Sequence, residues 1–149
     1  MWFWQLKQWF ATTLALIVCL LLGAVIRGAN TFRLSDLDGE RTYYLHALSS
    51  GALIKSTLGL QDILFVRGES VEFVLTDDSR TPLECANAVA KLFDAEILWQ
   101  EQAGGTHSFY CFTPKWETGA VVCGRAVNLH VAVRGNRCVV GTPMIFGGF

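Results

Sequence analysis

The apolar positions of this chain fall into three regimes: one continuous run, helical spacing, and strict alternation. From Trp9 to Ile26 the sequence WFATTLALIVCLLLGAVI carries eighteen residues without a charge, bounded by Lys7 and Arg27. As a helix rising about 1.5 Å per residue it spans roughly 27 Å, close to the hydrocarbon thickness of a bilayer. Trp2, Phe3, Trp4 and Trp9 cluster at its N-terminal edge, where amphipathic rings favour the headgroup zone. Thr12 and Thr13 can return their hydroxyls to the helix backbone and leave the span intact. A buried core helix is the alternative, and it fits poorly with a stretch this apolar all round.

A cleaved signal asks for small residues at −3 and −1 and for a shorter apolar run. Cutting after Ala29 puts Arg27 at −3, and cutting after Ala24 puts Leu22 there, so an uncleaved anchor is favoured. Lys7 on one side is balanced by Arg27 and Arg33 on the other, which Asp36 and Asp38 partly offset. The positive-inside count is therefore nearly even. The short head before the span leans towards an inside N-terminus and export of residues 28–149. The organisation expected is an anchor over 1–27, a stalk over 28–42 and an α+β domain over 43–149.

Within that domain, Tyr44, Leu45, Leu48, Ala52 and Leu58 have helical spacing ahead of Gly59, which predicts a helix over Tyr43–Leu58, weakened by Ser49-Ser50-Gly51. Ile63–Thr76 reads as extended, and Gly68 makes it either one bulged strand or a tight hairpin. The sequence TPLECANAVAKLF holds a capping box, Thr81 with Glu84, and Pro82 at the first helical position. Leu83, Ala86, Val89, Ala90 and Phe93 then form its apolar stripe. Segments 96–101 and 107–113 flank Ala103-Gly104-Gly105 as a hairpin. Val127, Leu129, Val131 and Val133 alternate with polar neighbours, and Gly135-Asn136 turns the chain into Cys138–Ile145. The fold class is α+β: an N-terminal transmembrane helix, then an antiparallel sheet with helices packed on one face.

Composition narrows the function. The chain has 149 residues, 52% of them apolar, with 12 Lys+Arg against 13 Asp+Glu. That length allows one compact domain beside the span, and 17% charged with 12% aromatic residues excludes a disordered chain. Residues 28–149 hold ten basic and thirteen acidic residues, a formal charge of −3. Phosphate neutralisation needs a basic face, so no nucleic-acid partner is expected.

The stretch VNLHVAVRGNRCVVGTPMI, residues 127–145, resembles the end of the YwmB family of Gram-positive bacterial envelope proteins. Members of that family also begin with a membrane-targeting segment and close with a strand, a short turn and a terminal strand carrying Gly-Thr-Pro. The resemblance covers residues 62–149, with the N-terminal segment matching in kind. It implies a TATA-box-binding-protein-like α+β fold and an envelope location, and it brings no catalytic residues. DNA-binding proteins of that fold use a basic concave sheet, which this acidic chain lacks, and fold alone does not carry function.

Candidate chemistry is sparse. Cys85, Cys111, Cys123 and Cys138 allow disulfides in an exported domain. Cys111 with Cys123, on neighbouring predicted strands, is the first pair expected; four buried thiols are the alternative. His107, His130, Cys111 and Cys123 lack the short-spaced pairs of a zinc site. A nucleophile drawn from Cys111, His130 and Asn128 has nothing to bring its members together, and Gly141-Thr142-Pro143 lacks the glycines and lysine of a phosphate loop. No cofactor, metal or catalytic residue is expected. The polar side of the late strand, Asn128, His130 and Arg134, is the candidate binding face. The expected function is a non-catalytic, membrane-anchored, extracytoplasmic domain that binds or scaffolds an envelope protein, peptide or glycan. An envelope enzyme using Cys or His is the first rival, and a membrane-tethered nucleic-acid binder the second. The tail Met144–Phe149 would either plug the core edge or meet a partner strand.

Overall fold

Eleven large apolar side chains between Lys7 and Ile26 stand exposed on a single helix, α1 (Trp2–Thr31), in the computed structural model of the chain. The structure describes residues 2–49, 51–76, 80–117 and 119–147, with the backbone alone for Trp2, Phe3, Trp4, Leu6 and residues 27–31. The ring belt expected of Trp2, Phe3 and Trp4 thus lies outside the described side chains. The window Lys7–Ile26 has mean hydropathy 2.5 and none of it is buried in the fold. At about 2 kcal/mol per side chain, moving it from water to hydrocarbon is favoured by about 20 kcal/mol before backbone terms. Thr12 Oγ1 donates to the Gln8 carbonyl at 2.9 Å and Thr13 Oγ1 to the Trp9 carbonyl at 2.8 Å, so both hydroxyls are satisfied inside the helix. This helix is long and apolar enough to cross a membrane.

The remainder is α+β. Strands β1 (Glu40–Leu45), β2 (Leu53–Lys55), β3 (Val66–Val74), β4 (Glu96–Ala103), β5 (Thr106–Phe112), β8 (Leu129–Arg134) and β9 (Arg137–Thr142) form one antiparallel sheet in the order β2-β1-β3-β9-β8-β5-β4. A small hairpin, β6 (Ala120–Val122) and β7 (Arg125–Val127), forms a second sheet. Helix α2 (Pro82–Phe93) follows β3 and carries the chain across one sheet face to the β4 edge. Its capping box is formed: the Thr81 hydroxyl accepts from the Glu84 N–H, and the Glu84 carboxylate accepts from the Thr81 N–H at 2.7 Å. Cys85, Ala86, Val89, Ala90 and Phe93 are its buried face. Leu83, expected in that stripe, is exposed, and Cys85 takes the inward position. Val71, Phe109, Leu129, Val131, Val133 and Val140 supply the sheet's half of the core.

Two expectations are corrected, and one open choice is settled. Tyr43–Leu58 is a hairpin, not a helix: Tyr43 pairs with Lys55 and Leu45 with Leu53. Tyr43, Tyr44 and Leu45 favour strands, and long-range pairing with β3 outweighs a helical spacing already interrupted by Ser49 and Gly51. Ser50 lies outside the described residues. The segment around Gly68 is one bulged strand, its register slipping where Tyr44 faces Gly68 and Leu45 faces Val66. The stretch 28–42 is not a free stalk. Helix α1 runs to Thr31, Leu34 is fully buried, and β1 starts at Glu40.

That junction is strapped by buried polar groups. Glu69 on β3, fully buried, accepts the Leu34 N–H at 2.9 Å. Arg41 Nη2 donates to the carbonyls of Leu34 at 3.2 Å and Leu37 at 2.7 Å, while Arg41 Nη1 lies 3.9 Å from Glu69. Phe32 meets the Tyr43 ring edge-on at 6.1 Å, and Arg33 lies over Trp116 at 5.5 Å. The chain leaving α1 is therefore tied to the sheet within a few residues.

Candidate functional site

The sheet has a face turned to α2 and an outer face, and alternation assigns each side chain to one of them. On β8, Leu129, Val131 and Val133 point to the core, so His130, Ala132 and Arg134 point outward. On β5, Phe109 and Cys111 point inward and Tyr110 outward. On β4 the irregularity between Ile97 and Trp99 resets the register, so that Trp99 faces Tyr110 directly, as Tyr110 faces His130.

Adjacent strands lie about 4.7–4.9 Å apart, which is also a ring-stacking distance. The three rings accordingly stand in a row: Trp99 on Tyr110 at 4.7 Å and 17°, Tyr110 on His130 at 4.6 Å and 9°. Such cross-strand ring pairs contribute about 0.5–1.5 kcal/mol each beyond burial. The Tyr110 hydroxyl donates to the Glu101 carboxylate. Burial first, and that bond second, push the Tyr110 phenol up to about 12. His130 Nδ1 accepts the Ile145 N–H at 3.4 Å, so the neutral ring carries its proton on Nε2, which has no hydrogen-bond partner among the described residues. Burial pulls His130 down to about 4 against the raising effect of Glu101, and the ring is neutral at pH 7.

The tail covers the middle of the outer face. Ile145 sits against Gly141, where a Cβ would lie 2.7 Å from Ile145 Cγ1, and Phe146 meets the Tyr44 ring edge-on at 5.4 Å. Gly148 and Phe149 lie outside the described residues. What the tail leaves open is the β4 margin. Trp99 is half-buried there, and Glu101 and Gln102 are exposed. β4 is an edge strand of eight residues with two carboxylates, Glu96 and Glu101, and no basic residue. The opposite edge, β2, has only three.

The predicted face of Asn128, His130 and Arg134 is not one surface. Asn128 is fully buried: its Nδ2 donates to the carbonyls of Thr113 at 2.8 Å and Trp116 at 3.1 Å, and its Oδ1 accepts the Thr113 N–H at 2.8 Å. It pins the 113–117 loop, whose Thr113 hydroxyl donates in turn to the Phe93 carbonyl at 2.8 Å. His130 faces outward but lies beneath the tail and the ring row, and only Arg134 is exposed. Strand β8 is covered on both faces, which its alternating sequence does not reveal.

The expected Cys111–Cys123 bridge is absent, and both thiols are free. Cys111 is buried in the α2-facing core, where burial pushes it up to about 12. Cys123 is exposed at the β6–β7 turn with φ 49°. Cys111 and His130 point to opposite sheet faces, so they make no nucleophile–base pair. Among the described residues no group of three His, Cys, Asp or Glu side chains is placed to hold a metal. Sequence reading missed Trp99, Glu101 and Tyr110. Each occupies an alternate strand position, but their meeting depends on register across β4, β5 and β8. No family model, no curated protein and no solved structure matches the chain.

Proposed function

We propose that the chain is a membrane-anchored, extracytoplasmic binding or scaffolding domain, without catalysis, that takes an extended segment of an envelope protein along β4. The observation that carries this reading is the long acidic edge strand beside an open tryptophan face. An unpaired edge is a template for β-addition, in which main-chain bonds give affinity and alternate side-chain positions give specificity. Glu96 and Glu101 disfavour pairing of β4 with itself and favour a strand carrying Lys or Arg. Trp99, stacked on Tyr110 by one face, offers its other side to an apolar or aromatic side chain of that strand. Kinship with YwmB-like envelope domains is part of the proposal and rests on the terminal strand pair ending in Gly141-Thr142-Pro143. The apolar helix α1 supports the anchoring, and the export of the domain is part of the proposal.

A photo-crosslinking residue at Gln102, with exposed Val74 on β3, separated from β4 by three strands, as the control, tests the site in intact cells. The expected result is a protein adduct from position 102, reduced at least tenfold by Trp99→Ala, and none from 74. Adducts to glycan alone would replace the peptide ligand with a sugar. Equal adducts from both positions, or none, would contradict a β4 site.

A further inference from the structure

Outside α1, the described domain exposes eleven large apolar side chains, and six of them fall in one short stretch: Leu48, Leu53, Ile54, Leu60, Leu64 and Phe65. Leu60 is 90% exposed. They belong to the lobe made by the β1–β2 hairpin and the 3₁₀ turn Ile63–Phe65, and that turn packs beside α1. The lobe is also without net charge. Between residues 46 and 66 its only full charges are Lys55 and Asp62, which neutralise each other through two contacts of 2.8 Å. Asp62 also accepts the Gly59 N–H at 2.9 Å, and these bonds hold its carboxyl below the usual range, the Lys55 contact most. β2, with Leu53 and Ile54 exposed, is a sheet edge that would invite aggregation in water.

We propose that this lobe is a second membrane contact: the β2 edge and the following loop seat in the interfacial zone of the bilayer that α1 crosses, with Leu60 and Phe65 inserted. The occupant is fixed by continuity. The apolar surface adjoins the helix, and the strapped junction at Leu34, Arg41 and Glu69 prevents the domain from swinging away. The internally paired Lys55 and Asp62 lower the cost of approaching a low-dielectric surface. Leu60, Leu64 and Phe65 add apolar area beside the span, as interfacial segments do. The domain would then have one orientation relative to the membrane, with the lobe down and the sheet held upright.

The inference rests on α1 spanning the bilayer, and the test separates the two. The full chain, with Cys19 and Cys123 replaced by Ser, is reconstituted in phosphatidylcholine vesicles with an environment-sensitive fluorophore at one of three positions: Leu60→Cys, Val121→Cys or Val18→Cys. Quenching by nitroxides attached to lipid acyl chains is then measured. The expected result is strong quenching at 18, at least threefold more quenching at 60 than at 121, and a blue-shifted spectrum at 60. Quenching at 18 with position 60 behaving like 121 would overturn the lobe contact and leave the span standing. No quenching at 18 would overturn both.

Discussion

Replacing Asn128 by Asp keeps the volume of the side chain and removes the donor from two hydrogen bonds. In the native fold Nδ2 donates to the Thr113 and Trp116 carbonyls at 2.8 and 3.1 Å. In Asn128→Asp a carboxylate oxygen would face both carbonyls, and the bond from the Thr113 N–H alone would survive. Two buried acceptors losing their donors, at about 1–3 kcal/mol each, give a destabilisation of about 4 kcal/mol at pH 7. With a urea slope of about 2 kcal/mol per molar, the unfolding midpoint should fall by about 2 M. The assay is urea unfolding of the full chain in detergent, followed by tryptophan fluorescence, since Trp116 packs on Phe93 at 5.3 Å beside the pinned loop. The pH adds a second check. Burial among carbonyls raises the introduced carboxyl's folded-state value above its unfolded one, about 3.9. The penalty is therefore smallest at or below pH 4, where the acid can donate to one carbonyl, and grows as pH rises. A midpoint shift below about 0.5 M at pH 7, or one unchanged between pH 4 and 7, would refute the assignment of Asn128 as the loop's hydrogen-bond anchor.

Three further outcomes are expected. Burial holds His130 near 4 while the unfolded chain binds its proton near 6.5, so this group's contribution is present above pH 6.5 and lost as pH falls to about 4. The loss, about 3 kcal/mol, should disappear in His130→Phe, which keeps the stack; an unchanged acid slope would contradict the buried neutral ring. Burial raises Glu69 above the ordinary carboxyl range despite the Leu34 N–H and Arg41, so its contribution weakens as pH rises beyond its unfolded value of about 4.3. Glu69→Gln should accordingly gain on the parent between pH 4 and 7 in urea midpoint, and a flat difference would count against it. Finally, maleimide at pH 7 should modify Cys123 quickly and leave Cys111 and Cys138, both pushed up to about 12 by burial, unmodified until urea unfolds the domain. Mass spectrometry showing rapid labelling of Cys111, or no free thiol at Cys123, would contradict the structure.

Local chemistry was legible in the sequence where it acts within a few residues. The Thr81–Glu84 capping box, the Gly104-Gly105 turn with φ of 56° and 79°, and the inward row Leu129, Val131 and Val133 all appear where their spacing predicts. Readings that needed long-range partners failed. Tyr43–Leu58 carries a helical spacing, and only pairing with β3 makes Tyr43–Leu45 a strand. Leu34 is one apolar residue among polar neighbours, and nothing local announces that Glu69, thirty-five positions on, will bind its amide. Alternation placed His130 outward but is silent on whether a tail returns to cover it. The ring row of Trp99, Tyr110 and His130 is a property of register alone. Of the candidate face, His130 lies on the outer side of the sheet beneath the tail, Arg134 is exposed, and Asn128 is buried against the 113–117 loop.

We propose that α1 holds the domain outside the cytoplasm. Protease treatment of intact protoplasts carrying a tag at the C-terminus tests that most directly. Loss of the tag while a cytoplasmic control protein survives is the predicted result. A protected tag would put the domain and its four cysteines in the cytoplasm, remove the envelope partner of β4, and contradict the account.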